Sequence, residues 1–342
     1  MSDISSKPAS ALHILIQITG FLLGIAALLW CIHLALQPHN KEALSQLRGI
    51  SIANAAALLS LTILSIALNG LCFWATVKAK EDLKPIEVIA TNCIATLLAF
   101  VPFKVSVLFR ILIHNRRDRI PLLTIGSWFA AVGLGAFLVV GPLTAASLWR
   151  KQIDFPWIAA VIIGITVFAA ITMTIARTVD GDLGLTRLQM IAAKLPTLLP
   201  ARFAGSRAFA HLHAGCGMVA SRWFALGLVV RALDVLVQAA RFYIVSELVG
   251  VELGYSNALL LSGCYFLIGV ISPSGAAGSR EGGATAVAKL LAIPAWESVA
   301  PVALTVTACE LIVLVVLSPI ATIMLKPWRL RGSREVEHPP AV

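Results

Sequence analysis

The chain has 342 residues, of which 58% are hydrophobic and only 13% are charged. Soluble globular domains carry about 25% charged residues, so this composition excludes an ordinary water-soluble body and predicts an integral membrane protein. Lys and Arg (27) outnumber Asp and Glu (17). No aromatic stacking residues accompany these basic residues, which excludes a nucleic-acid-binding surface. The excess of basic residues instead favours positively charged cytoplasmic loops, with a patch that binds anionic lipids as the alternative.

Six apolar runs are each long enough to cross a hydrocarbon core of ~30 Å, which takes about 20 helical residues. The first run is too long for the apolar region of a signal peptide, so we expect an uncleaved anchor. The runs lie, in chain order, at 11–36, 52–76, 122–148, 157–176, 223–249 and 299–325.

Two further apolar stretches are interrupted. Stretch 88–113 contains Pro102 and Lys104, and stretch 257–293 contains Pro273 followed by a glycine-rich run. Proline removes helical hydrogen bonds, and a non-helical backbone at membrane depth is tolerated only beside protein or a water-filled cavity. Each stretch is therefore predicted to be two half-helices, arranged as a re-entrant hairpin or as a broken spanning helix.

The connecting segments predict the topology. Residues 177–222 form a basic loop with one or two interfacial helices near 185–199, and 326–342 form a short basic tail of the single membrane domain 1–342. With two re-entrant hairpins both termini share one side, and that side collects most Lys and Arg, as is typical of the cytoplasm. The expected fold is an all-α polytopic membrane helix bundle, with the hairpins entering from opposite faces as in an inverted repeat.

Polar residues at the interruptions are candidate ligands for an anion. The first stretch carries Asn92, Lys104 and Arg110, and the second carries Arg280 and Glu281 beside several glycines. Glycine allows close backbone approach, and the free N–H groups at a half-helix start attract anions. A phosphate headgroup suits such a site; the alternative for Arg110 is a marker of the membrane boundary.

The fifth apolar run carries four polar residues on one helical face: Arg231, Asp234, Gln238 and Arg241. An arginine at mid-membrane costs about 2.5–3.5 kcal/mol on insertion scales, so this face should meet protein or water. It either lines a polar cavity or serves as a structural ion pair between neighbouring helices.

Glu310 is an intramembrane carboxylate in the last apolar run. Pairing with Arg280 or with the arginines of the fifth run is expected, ahead of a proton-relay role. The chain has no motif for nucleophilic catalysis, no CxxC, and only an isolated His211/His213 pair. No catalytic residue, metal or cofactor is predicted.

Two short motifs resemble the lysylphosphatidylglycerol synthase transmembrane family. Residues 273–282, with proline, a glycine-rich turn and Arg-Glu-Gly, are similar to its hallmark segment, as is the downstream Ile-Pro within 290–294. Residues 92–110 resemble its upstream Asn…Pro-Phe-Lys…Arg motif. The chain departs from the family at 276–277, where Gly-Leu is frequent, and at 105–106, where a glycine is common.

In bifunctional members of that family this membrane region is the flippase half, and a separate soluble domain transfers the amino acid. The resemblance implies a stand-alone flippase-like protein of a bacterial inner (or archaeal) membrane that lacks synthase activity. The first functional hypothesis is translocation of an anionic lipid headgroup among membrane lipids. The alternatives are an enzyme or accessory subunit of lipid or glycan synthesis, with Glu281 or Glu310 as general base, and a scaffold; partners would be a second copy or a lipid-synthesis enzyme.

Overall fold

The structure, a computed structural model, describes residues 11–101, 104–194, 206–272 and 276–328. Every regular element in these ranges is helical, as the composition predicts. Pro102, Pro273 and most of the basic tail lie outside the described residues. The helices are α1 (Ala11–Ala35), α2 (Pro38–Gln46), α3 (Ile52–Val77), α4 (Pro85–Leu98), α5 (Val105–Arg116), α6 (Leu122–Trp149), α7 (Phe155–Val179), α8 (Gly181–Lys194), α9 (Arg207–Ala220), α10 (Arg222–Leu248), α11 (Tyr255–Ile271), α12 (Ser279–Leu290) and α13 (Val299–Leu325).

Within the described ranges, six helices are long and apolar enough to cross a membrane: α1, α3, α6, α7, α10 and α13. Each has between 25 and 28 residues, which corresponds to about 37–42 Å at 1.5 Å per residue. Large apolar side chains on α7, including Ile162, Ile163 and Phe168, are more than half exposed. Lipid is the solvent that suits such a surface, so the chain is a multi-pass membrane protein.

The two interrupted stretches are hairpins rather than broken spanning helices. Helix α4 packs side by side with α5, and α11 packs side by side with α12. Helix α4 has 14 residues and α11 has 17, or about 21 and 26 Å, so both are shorter than the ~30 Å hydrocarbon core. The interruptions therefore fold back within the bundle.

Both hairpins restart their second helix from a left-handed residue. Lys104 precedes α5 with φ of 53°, and Gly278 precedes α12 with φ of 76°. A Cβ at Gly278 would lie 1.9 Å from the backbone oxygen of Gly24 on α1, so only glycine fits there. Lys104 has no such freedom, and a non-glycine residue in this conformation is uncommon.

The packing repeats internally. In each half a long helix packs on the first helix of the hairpin that follows it: α3 on α4, and α10 on α11. That hairpin helix also contacts the last helix of the other half: α4 contacts α13, and α11 contacts α6. Helices α3 and α10 pack on each other at the centre. Because successive spans cross in alternating directions, α3 and α10 run antiparallel. The units α3–α6 and α10–α13 thus pack in matching pairs, as the expected inverted repeat requires.

The predicted basic loop is largely helical where the structure describes it. Helix α8 covers 181–194, which includes much of the expected interfacial segment, whereas 195–205 lie outside the described residues. Helix α9 packs against α6 and α7, and its Gly215 lies so close to Ser127 of α6 that a Cβ would sit 2.9 Å from the serine Cβ. Part of this segment is thus docked on the bundle.

Candidate functional site

The tips of the two hairpins meet inside the bundle. The backbone N–H of Ala276 in the second break donates to the carbonyl oxygen of Ala99 in the first, at 2.9 Å. The Lys104 ammonium crosses the same junction and donates to the Val270 carbonyl at 3.2 Å. Two interruptions separated by about half the chain therefore form one structural unit.

A cavity of about 290 Å³ lies at this junction, with walls from both hairpins and from α3, α6, α10 and α13. Most of the predicted site residues line it, whereas Asn92, Asp234 and Glu281 lie behind the wall. The predicted residues that line the cavity are Lys104, Arg110, Arg231, Gln238, Arg241, Arg280 and Glu310.

The polar face of α10 is organised around Asp234, which is completely buried. Its carboxylate accepts hydrogen bonds from Arg231 Nη1 at 2.6 Å, Ser65 Oγ at 2.7 Å and Gln238 Nε2 at 3.1 Å. Arg241 donates instead to the Val306 carbonyl at 3.1 Å. Both predictions for this face are met: Asp234 and Arg231 form a structural ion pair, and Arg231, Gln238 and Arg241 line the cavity.

Two asparagines connect Arg231 with Arg110 of the first hairpin. Arg231 Nη2 donates to Asn69 Oδ1 at 2.8 Å, and Asn69 in turn donates to Asn92 Oδ1 at 3.3 Å. Arg110 Nη2 donates to the same Asn92 oxygen at 2.5 Å. Asn92 is itself anchored by a 2.8 Å bond to the Ile66 carbonyl, so it positions Arg110 from behind.

Arg280 occupies the wall formed by the second hairpin. Its Nη1 donates to Glu310 at 3.3 Å, and the guanidinium carbon lies 4.9 Å from the Phe100 ring centroid and 4.6 Å from that of Tyr265. Of the two pairings expected for Glu310, the structure has the one with Arg280. These contacts fix the arginine between two rings, where a cation is attracted to the aromatic faces.

Glu281 points away from the cavity. Thr307 Oγ1 donates to its carboxylate, and the same hydroxyl lies 2.7 Å from the phenol oxygen of Tyr265. The Glu281 carboxylate lies 4.0 Å from Nε of Arg280. Neighbouring residues in sequence thus play separate parts: Arg280 faces the cavity and Glu281 supports the packing of α12 on α13.

Several guanidinium N–H groups in this wall are buried without a hydrogen-bond partner among the described residues. They are Nη1 of Arg110 and both Nε and Nη2 of Arg280, and the two side chains are 8% and 9% exposed. The great majority of buried donor groups in proteins have a hydrogen-bond partner. The N-terminal turns of α5 and α12 also border the cavity, and helix N-termini favour negative charge. The arrangement is therefore suited to holding an anion.

Sequence reasoning missed the side chains that position the arginines. Asn69 lies one turn after Ser65 on the same face of α3, a polar pattern in an apolar span that could have marked this wall. Tyr265, Phe73 and Phe100 carry no such signal, because an aromatic residue in a membrane helix most often faces lipid or neighbouring helices. Phe73 lies 4.1 Å beneath the Arg110 guanidinium.

Metal-binding groups do not converge in the part of the chain that the structure describes. No cluster of three or more His, Cys, Asp or Glu side chains there is placed to hold an ion. His211 contacts Thr124 and His213 contacts the Val179 carbonyl, so the HxH pair points to two different partners. All six cysteines are free.

The sequence matches no protein-family model, and no curated protein matches it.

Proposed function

We propose that the protein is a membrane transport protein that binds an anionic lipid headgroup in the cavity between the hairpin tips and moves it across the bilayer. The observation that carries this proposal is the pair of buried arginines, one on each hairpin, that line a common cavity and keep N–H groups without a hydrogen-bond partner among the described residues. Buried charge-assisted hydrogen bonds are worth about 1.5–3 kcal/mol each, so an anion there is strongly favoured.

Support for a lipid comes from the rim of the cavity. Val270 lines the cavity and is 46% exposed; Val101 and Leu108, within two residues in sequence of the lining residues Ala99 and Val107, are 42% and 60% exposed. An apolar, exposed rim at membrane depth accommodates acyl chains while the headgroup lies inside. The inverted repeat supports movement between two faces, since paired hairpins around a central site are the usual design of alternating access.

We further propose membership of the lysylphosphatidylglycerol synthase transmembrane family, because the described parts of both resembling motifs belong to the two hairpins that border the cavity. The proposed location is the cytoplasmic membrane, with both termini cytoplasmic. The enzyme hypothesis is less well supported: Glu281 is turned away from the cavity, and Glu310 is held by Arg280.

Translocation of a fluorescent anionic phospholipid in proteoliposomes tests the proposal. The double variant Arg280→Gln/Glu310→Gln removes a buried cation together with the carboxylate that accepts its hydrogen bond, so the net charge of the site is unchanged. We expect its rate to fall by about tenfold or more, as the loss of one charged hydrogen bond implies.

The matched control is Lys78→Gln/Asp82→Asn, which removes a salt bridge at the surface and should leave the rate unchanged. Equal rates for the two double variants, with both proteins folded, would exclude the cavity as the transport site.

A further inference from the structure

The charged side chains around the cavity do not balance. Five cations line it: Lys104, Arg110, Arg231, Arg241 and Arg280. Three carboxylates accompany them: Glu310 in the lining, Asp234 paired with Arg231 at 2.6 Å, and Glu281 at 4.0 Å from Arg280. Five cations against three carboxylates leave an excess of two positive charges among the described residues.

An excess of two positive charges is energetically costly inside the helix bundle. Arg110, Arg231, Arg241 and Arg280 are all less than 10% exposed, so water does not solvate them as it would at a surface. A charge held at membrane depth is stabilised only by a partner, by water or by a bound ion. Two negative charges on an occupant would neutralise the site, whereas one would leave half of the excess.

The unpartnered donors lie in two places rather than one. Arg110 belongs to the first hairpin, where Asn92 and the ring of Phe73 hold it, and its Nη1 has no hydrogen-bond partner among the described residues. Arg280 belongs to the second hairpin, where Glu310 accepts from Nη1 and Glu281 lies 4.0 Å from Nε; neither Nε nor Nη2 makes a hydrogen bond within the described ranges. Each guanidinium is positioned before any ligand binds, so little ordering cost remains at binding.

We propose that the cavity selects a phosphate headgroup carrying at least two negative charges, a monoester or a diphosphate, over a singly charged phosphodiester; this rests on the proposed function. The two charges are shared between Arg110 and Arg280, and Lys104 at the half-buried rim completes the balance. A phosphodiester supplies a single charge, so it neutralises only half of the excess.

Binding of lipids with identical acyl chains to the purified full-length protein tests the selectivity at pH 8, where a phosphate monoester with a second pKa of about 6 carries two charges. The probes are phosphatidic acid, diacylglycerol diphosphate and phosphatidylglycerol. We expect the first two to bind at least about tenfold more tightly than phosphatidylglycerol, the difference that one further charged hydrogen bond produces.

The variant Lys104→Gln lowers the excess to one positive charge. It should reduce the preference for phosphatidic acid and diacylglycerol diphosphate over phosphatidylglycerol by severalfold, while Lys326→Gln, at an exposed position beyond α13, should not. Equal affinity of the wild-type protein for all three lipids would overturn the inference and leave anion binding in place. Unchanged binding of all three lipids by Arg280→Gln/Glu310→Gln would instead overturn the proposed function.

Inorganic pyrophosphate distinguishes a lipid from a soluble source of the same chemistry. We expect it to compete only weakly, because it leaves the apolar rim uncovered. Competition at the same concentration as diacylglycerol diphosphate would overturn the assignment to a lipid and assign the cavity to a soluble anion with several negative charges.

Discussion

The carboxylate of Asp234 accepts three hydrogen bonds, one of them from Arg231 at 2.6 Å, and is completely buried, so its charge is compensated without contact with water or lipid. The spacing of three residues predicts this pair, because residues i and i+3 are neighbours on a helix. It does not predict Ser65, which comes from α3. A buried ion pair is stable only when its remaining hydrogen-bond groups are also satisfied, and here a second helix supplies them.

Removing one member of this pair should be far more damaging than removing both. Asp234→Ala leaves Arg231 as an unpaired buried charge, and we expect the free energy of unfolding to fall by about 3–5 kcal/mol. The double variant Arg231→Met/Asp234→Ala should recover a substantial part of that loss. Unfolding in detergent micelles measures both; Asp82→Ala, at a surface pair, serves as the control and should change stability little. A double variant less stable than Asp234→Ala would contradict the prediction.

Helices α3 and α4 approach unusually closely because α3 has a glycine where they touch. A Cβ at Gly70 would lie 2.8 Å from the Cα of Ile89, a backbone atom that moves only with its helix. Proline and glycine positions predict where the hairpins are interrupted, since these residues act on the local backbone. They do not distinguish a hairpin from a broken span, because that choice depends on which helices cover the two halves.

Gly70→Ala should therefore destabilise the protein by about 1–3 kcal/mol, the usual cost of overpacking. Gly141→Ala on α6 is the matched control: its Cβ would meet no atom within 4 Å, and alanine is the better helix former by about 1 kcal/mol. Thermal unfolding of both variants in one detergent makes the comparison. If Gly70→Ala is as stable as Gly141→Ala, the close packing of α3 on α4 is wrong.

The helices α3–α6 and α10–α13 are organised as two units around a shared cavity. Hydropathy and the distribution of Lys and Arg predict six spans and two hairpins from opposite faces; the described residues have the six apolar helices and the two hairpins. Neither unit has the whole cavity, because Arg110 comes from one and Arg280 from the other. A central site shared by inverted units places the ligand where either face could open to it.

The sidedness of this arrangement is testable with a membrane-impermeant thiol reagent on intact cells. In a variant with its six cysteines replaced by alanine, we expect Lys41→Cys and Gln152→Cys to be labelled from outside. Arg187→Cys on α8 should be labelled only after permeabilisation, since one further span separates it from Gln152. Labelling of position 187 in intact cells would reverse the proposed orientation.

Local chemistry was enough to predict that the chain crosses a membrane, where its helices are interrupted, and which charged residues lie inside. These properties depend on the length of apolar runs, on the positions of proline and glycine, and on the cost of burying charge, and each can be judged from a short segment of sequence. The tertiary structure decided that the two interruptions touch through Ala276 and Ala99, and that Glu310 pairs with Arg280 rather than with an arginine of α10. Which distant segments contact each other depends on how whole helices pack, and a local sequence pattern does not determine that packing.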